Sequence, residues 1–81
     1  MKIIEYWQAV KQVESSTPND TLDDFYVMGE YVREAHAQKA VELANKKLFN
    51  DLRKSPGYPL THTKYFVRFK ELRLIEIEPY T

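Results

Sequence analysis

Hydrophobic and polar positions divide the chain into periodic stretches separated by two breaks. In the first, KIIEYWQAVKQVES, the residues Ile3, Ile4, Trp7, Val10 and Val13 fall on one side at about 100° per residue. Glu5, Gln8 and Gln12 fall on the other side, so the spacing predicts an amphipathic helix. SSTPND, with Pro18 among small polar residues, predicts a loop. Asp20 or Thr21 then fits an N-cap, and Asp23 and Asp24 would sit in a first helical turn, where the dipole favours acids.

From Thr21 to Lys54 there is no proline, and Gly29 is the one residue that interrupts. Phe25, Met28, Val32 and Ala35 share a helical face in the first half. Ala37, Ala40, Val41, Ala44, Leu48 and Leu52 share another in the second half, rotated by roughly 150°. One straight helix on one core would not change sides in this way. The pattern predicts two helices, 21–36 and 38–54. The alternative is a single long helix whose halves meet different neighbours, one of them in another subunit.

SPGYP at 55–59 is a stop, with two prolines and a glycine. The next stretch, THTKYFVRFKEL, reads two ways. As a helix it places Tyr65, Phe66, Phe69, Leu72 and His62 on a face about 120° wide, with Lys64, Arg68 and Glu71 opposite and Thr61 as N-cap. As a strand it alternates well through Tyr65, Val67 and Phe69, but the pattern runs on into Glu71 and Arg73. KEL offers no turn residue, and an unbroken strand would be about fourteen residues, longer than most. The helix, 61–72, is favoured, followed by LIEIE at 74–78 as a strand ended by Pro79. A lone strand needs a partner. That partner is either a symmetry mate or Met1–Tyr6, should the first segment be extended after all. The expected fold class is mainly α (α+β): three to four helices with one short C-terminal β element, in a single small domain over 1–81.

Composition sharpens this only in part. Eighty-one residues make one core, and 43% hydrophobic with 30% charged is the balance of a soluble globular chain. So small a domain is marginal alone, and with no cysteine it has no disulfide to brace it, which points to self-association. Absence of cysteine, of any apolar run near ~18 residues and of a signal-peptide core in MKIIEYWQAV leads to a cytoplasmic expectation, with no membrane.

Net charge is zero, yet it is unevenly spread. Residues 1–45 hold eight acids and four bases, whereas 46–73 hold eight bases and two acids. The basic segment could answer the acidic half, within the fold or across a dimer, or could face an outside polyanion.

Chemistry is sparse. His36 and His62 lack a second ligand at metal spacing, and Asp23–Asp24 point about 100° apart on a helix and do not converge. Two glycines make no phosphate-cradling loop, and no serine lies in a nucleophile-elbow setting. No enzyme activity, metal or small-molecule cofactor is expected. The expected function is that of a small non-enzymatic binding protein that occludes or adapts a protein partner, as a homo-oligomer. Val27, Tyr31 and Glu34, an aromatic rimmed by acid, would form its contact patch, and Lys64, Arg68 and Lys70 a second, ionic one. The alternative is a compact helix-turn-helix or winged-helix-like nucleic-acid regulator. Helix 61–72 would then enter the groove with Lys64, Arg68 and Lys70, while Arg53 and Lys54 touch phosphate.

Overall fold

The structure is a computed structural model that describes residues 2–15 and 22–75. Strand β1 (Lys2–Val13) is followed by β2 (Asp24–Tyr31), helix α1 (Glu34–Lys54), a 3-10 turn (Leu60–His62) and strand β3 (Thr63–Ile75). The three strands form one antiparallel sheet in the order β2-β1-β3. The expectation of a mainly helical fold is therefore overturned: the described residues hold one α-helix and a three-stranded sheet.

Three helices drop out, for two reasons. The first segment is the central strand, and it carries apolar residues on both faces, Ile3, Trp7, Ala9 and Val13 on one and Ile4, Tyr6 and Val10 on the other, so the two-residue alternation is blurred. Its β-branched and aromatic residues nevertheless favour the extended form. The pairing of Lys2–Tyr6 with Glu71–Ile75 is the second of the two partners weighed for the C-terminal strand. Residues 76–78 of that strand, and the N-cap at Asp20 or Thr21, lie outside the described residues.

Helix 21–36 is instead β2, and helix 61–72 is instead the 3-10 turn and β3. In both strands a bulge slips the phase. Trp7 pairs with Phe69 and Tyr6 with Glu71, leaving Lys70 as the extra residue in β3. Ala9 pairs with Gly29 and Val10 with Val27, leaving Met28 as the extra residue in β2. Each bulge interrupts the alternation that marks a strand, and leaves a spacing that mimics a helix.

Only helix 38–54 persists, extended to Glu34–Lys54. The shared face Ala37, Ala40, Val41, Ala44, Leu48 and Leu52 is its shielded side. Glu34 in the first turn and Arg53 and Lys54 in the last suit the helix dipole. Ser55 caps the end through its N–H to the Asp51 carbonyl, and Gly57, at φ +153°, takes a conformation that L side chains rarely adopt. The chain then turns through Leu60–His62, where the buried Thr63 donates its hydroxyl to the Pro59 carbonyl at 2.8 Å.

The side of the sheet that carries α1 follows from backbone direction. The Glu14 N–H donates to the His62 carbonyl, so even-numbered residues of β1 aim their backbone groups at β3 and odd-numbered ones at β2. β2 and β3 are parallel to each other across β1, and such crossovers are almost always right-handed. For L-residues that hand places α1 over the odd-numbered side chains of β1. Accordingly Ala9, Val13 and Thr63 are buried, and Ala37 is buried above them. Small residues on both surfaces let the helix come close.

The core ends there: among the described residues Ala9, Val10, Val13 and Ala37 are the buried hydrophobic ones. The molecule is a thin plate, 60 × 30 × 14 Å, with a radius of gyration of 17.2 Å. A compact domain of this length would have about 12 Å. The length comes from an arm in which Lys2–Tyr6 pairs with Glu71–Ile75 beyond the end of β2, which stops at Tyr31 opposite Trp7.

Candidate protein-contact face

The face of the sheet away from α1 carries the even-numbered side chains of β1. From β2 it takes Phe25 and Val27, and from β3 Lys64, Phe66 and Arg68. At its middle lies an apolar island. Phe25 and Phe66 meet edge to face, with centroids 6.5 Å apart, and Val10 is fully buried between Val27 and Phe66, its partners across the two ladders. Phe25 is 53% exposed and Val27 47%, so most of the island's rim is open to solvent.

Charged and polar side chains flank the island at both ends. At one end Lys64 pairs with Glu14, and Gln12 donates to Asp23 at 2.8 Å. Asp23 also accepts the Ser15 N–H at 3.1 Å. It therefore closes the hairpin rather than serving a helix dipole, which corrects the reading of Asp23 and Asp24 as first-turn acids. At the other end Arg68 donates to the Gln8 side-chain oxygen at 2.7 Å, and Gln8 donates to Glu30 at 3.4 Å. Lys70, projected by the bulge, reaches both Glu30 oxygens at 3.0 and 3.1 Å. Farther along, Arg73 pairs with Glu71 and lies 4.8 Å over the Tyr6 ring.

These contacts set the titration of the groups involved. The Lys70 ammonium holds the Glu30 carboxyl below its ordinary value. The Glu14 carboxylate raises Lys64, and Glu71 raises Arg73. All three sites are solvent-exposed, so each pair contributes little to stability and more to the pattern of charge.

Lys64, Arg68 and Lys70 thus do share a face, but they share it along a strand, and each has a partner. Arg53 and Lys54 are exposed at the C-terminal end of α1, on a different element from that strand; Arg53 lies over the Phe49 ring at 5.2 Å. Val27 is on the open face, whereas Tyr31 pairs with Trp7 on the helix side, the Met28 bulge lying between them. Glu34 is in the first turn of α1 and accepts from Gln38 at 3.0 Å. The three residues expected to form one patch are therefore divided among two sheet faces and a helix.

Phe25 and Phe66 were missed as surface residues because a helical wheel hid them among core positions. The signal that finds them is alternation reckoned across a bulge. Among the described residues no three His, Asp or Glu side chains gather as a metal site, and no helix is long and apolar enough to cross a membrane. His62 is half-buried, with Tyr58 edge-on at 5.4 Å and the Thr61 hydroxyl 2.9 Å from its Nδ1. Compared with known proteins, the chain matches no family model, no curated protein and no solved structure.

Proposed function

We propose that the chain is a non-enzymatic binding module that works as a homo-oligomer and occludes or adapts a protein partner through the open face of its sheet. The observation that carries this reading is the imbalance of apolar side chains. Among the described residues fourteen large hydrophobic side chains are exposed and four hydrophobic ones are buried, and two of the exposed ones, Phe25 and Val27, stand beside Phe66 on the open face. A surface of that kind is costly to keep in water unless something covers it. Phe25, Val27 and Phe66 are the anchors, the two rings already meeting edge to face. The ion pairs around them form a polar rim that steers approach and fixes register.

The helix-turn-helix alternative is not carried forward. It required a helix over 61–72 for the groove, and that segment is extended. With it goes the arrangement in which Arg53 and Lys54 would have supported the groove-reading helix.

The test is a photoreactive phenylalanine analogue placed at Phe25, with Leu43 on the outer side of α1 as control. On irradiation in cells, discrete adducts to another protein are expected at position 25 and not at 43. Adducts between copies of this chain alone, or none, would overturn the reading. So would an affinity for random duplex DNA that falls steeply with salt.

A further inference from the structure

β1 has twelve residues, but only Trp7–Val13 has β2 beside it. From Lys2 to Tyr6 the side toward β2 has no strand among the described residues, because the chain leaves the sheet at Val32 and Arg33 to enter α1. A groove of about 520 Å³ occupies the place, lined by Lys2, Ile3, Ile4, Glu5, Val32 and Arg33. The alternation fixed by Glu14 aims the backbone groups of Ile3 and Glu5 into this groove and those of Ile4 at β3. The groove lies where β2 would run on beside Lys2–Tyr6, with a ladder edge already turned toward it.

We propose that the groove is filled by the same five residues of a second copy, Lys2–Tyr6 pairing antiparallel with Lys2–Tyr6 about a twofold axis at Ile4. This rests on the self-association half of the function proposed above and names the surface that performs it. An isologous contact must be self-complementary, and a segment paired antiparallel with itself meets that condition. The register that uses all five residues sets Lys2 opposite Tyr6 of the other copy, Ile3 opposite Glu5, and Ile4 opposite Ile4. Ile3 and Glu5 exchange four backbone hydrogen bonds, and the Ile4 pair is the non-hydrogen-bonded one. The two arms become a four-stranded patch, β3-β1 joined to β1-β3.

The occupant is a copy of this chain on grounds of area. A compact monomer of 9.6 kDa exposes about 5,100 Å². This chain exposes 6559 Å². The excess, roughly 1,450 Å², exceeds the roughly 800 Å² each partner contributes to an ordinary stable interface, and falls in the range of obligate dimers. Exposed apolar side chains line the arm. Ile3, Leu72 and Leu74 are 63%, 57% and 63% exposed, on the helix side but beyond the start of the helix. The twofold axis stands perpendicular to the sheet, so it brings the Ile3 side chains of both copies to the same side. The apolar rows then meet as one strip.

The chain contains no cysteine, so one introduced thiol reports one position. Opposed Cα atoms in a non-hydrogen-bonded pair are about 4.5 Å apart, within the span a disulfide bridges. Ile4→Cys is expected to form a disulfide-linked dimer under mild oxidation, at twice 9.6 kDa, whereas Leu43→Cys stays monomeric on a non-reducing gel. Because Ile4 is half-buried, a second pair guards against a folding defect. Lys2→Cys mixed with Tyr6→Cys should cross-link as the mixture far more than either variant does alone. The unmodified protein should have the mass of a dimer by light scattering. A monomer at millimolar concentration overturns the proposal, and so does a dimer in which neither thiol design links. The first result also removes the oligomeric part of the proposed function, while partner adducts at Phe25 would survive both.

Discussion

At the scale of single residues, Gln8 is the side chain on which the polar rim depends. It is buried, accepts from Arg68 and donates to Glu30, so it joins β1 to both neighbours on the open face. Gln8→Ala is expected to cost about 1 kcal/mol, toward the low end for a buried polar deletion, since Arg68 and Glu30 both regain water when released. A urea titration checks this, and no shift in midpoint would mean that the network is incidental. Nothing in the sequence marks Gln8 for this work. On a helical wheel it is one more polar residue on the solvent side, and its role exists only because Glu30 and Arg68 arrive from two other strands.

At the scale of elements, the contact between α1 and the sheet rests on small side chains. Ala37 is fully buried where the helix begins to cross the sheet, and Ala9 is fully buried in the central strand. Ala37→Leu should therefore push the helix off the sheet and lower stability by about 1–3 kcal/mol, the usual cost of overpacking. The urea midpoint is again the readout, with Ala35→Leu, on an exposed position of the same turn, as the control that should change little. The helix was legible in the sequence, its buried face residue by residue, since one face of one helix meets one sheet. The strands were not. The central strand carries apolar residues on both of its faces, which blurs its alternation, and the bulges at Met28 and Lys70 break what alternation the outer strands have. The aromatic and β-branched content of TKYFVRF, and the possible pairing of Met1–Tyr6 with the C-terminus, pointed to the right architecture. The objection that outweighed them was length. The strand is thirteen residues long, sustained by an equally extended β1 beside it.

At the scale of the molecule, a plate whose described residues include four buried hydrophobic ones has little to hold it together as a monomer. If a second copy completes it, folding and association are one process, and the melting temperature must rise with protein concentration. Differential scanning calorimetry across a hundredfold concentration range is expected to show that rise; a constant midpoint would mean that the isolated chain is stable by itself. The short length, the missing disulfides and the surplus of aromatic residues pointed to an unpaired surface. What they could not locate was the surface itself, because Phe25, Phe66, Ile3 and Leu74 become neighbours or strangers only once the register is set.

The extra residue in β3 has one more effect. Lys70 has no counterpart on β1, so the ladder on either side of it would close unchanged were it removed, at the loss of its grip on Glu30. At most other positions along that strand a deletion would turn every following side chain over, greasy for salty. The strand thus carries a slack link, a place where its length can drift by one amino acid while the arm keeps the same side up.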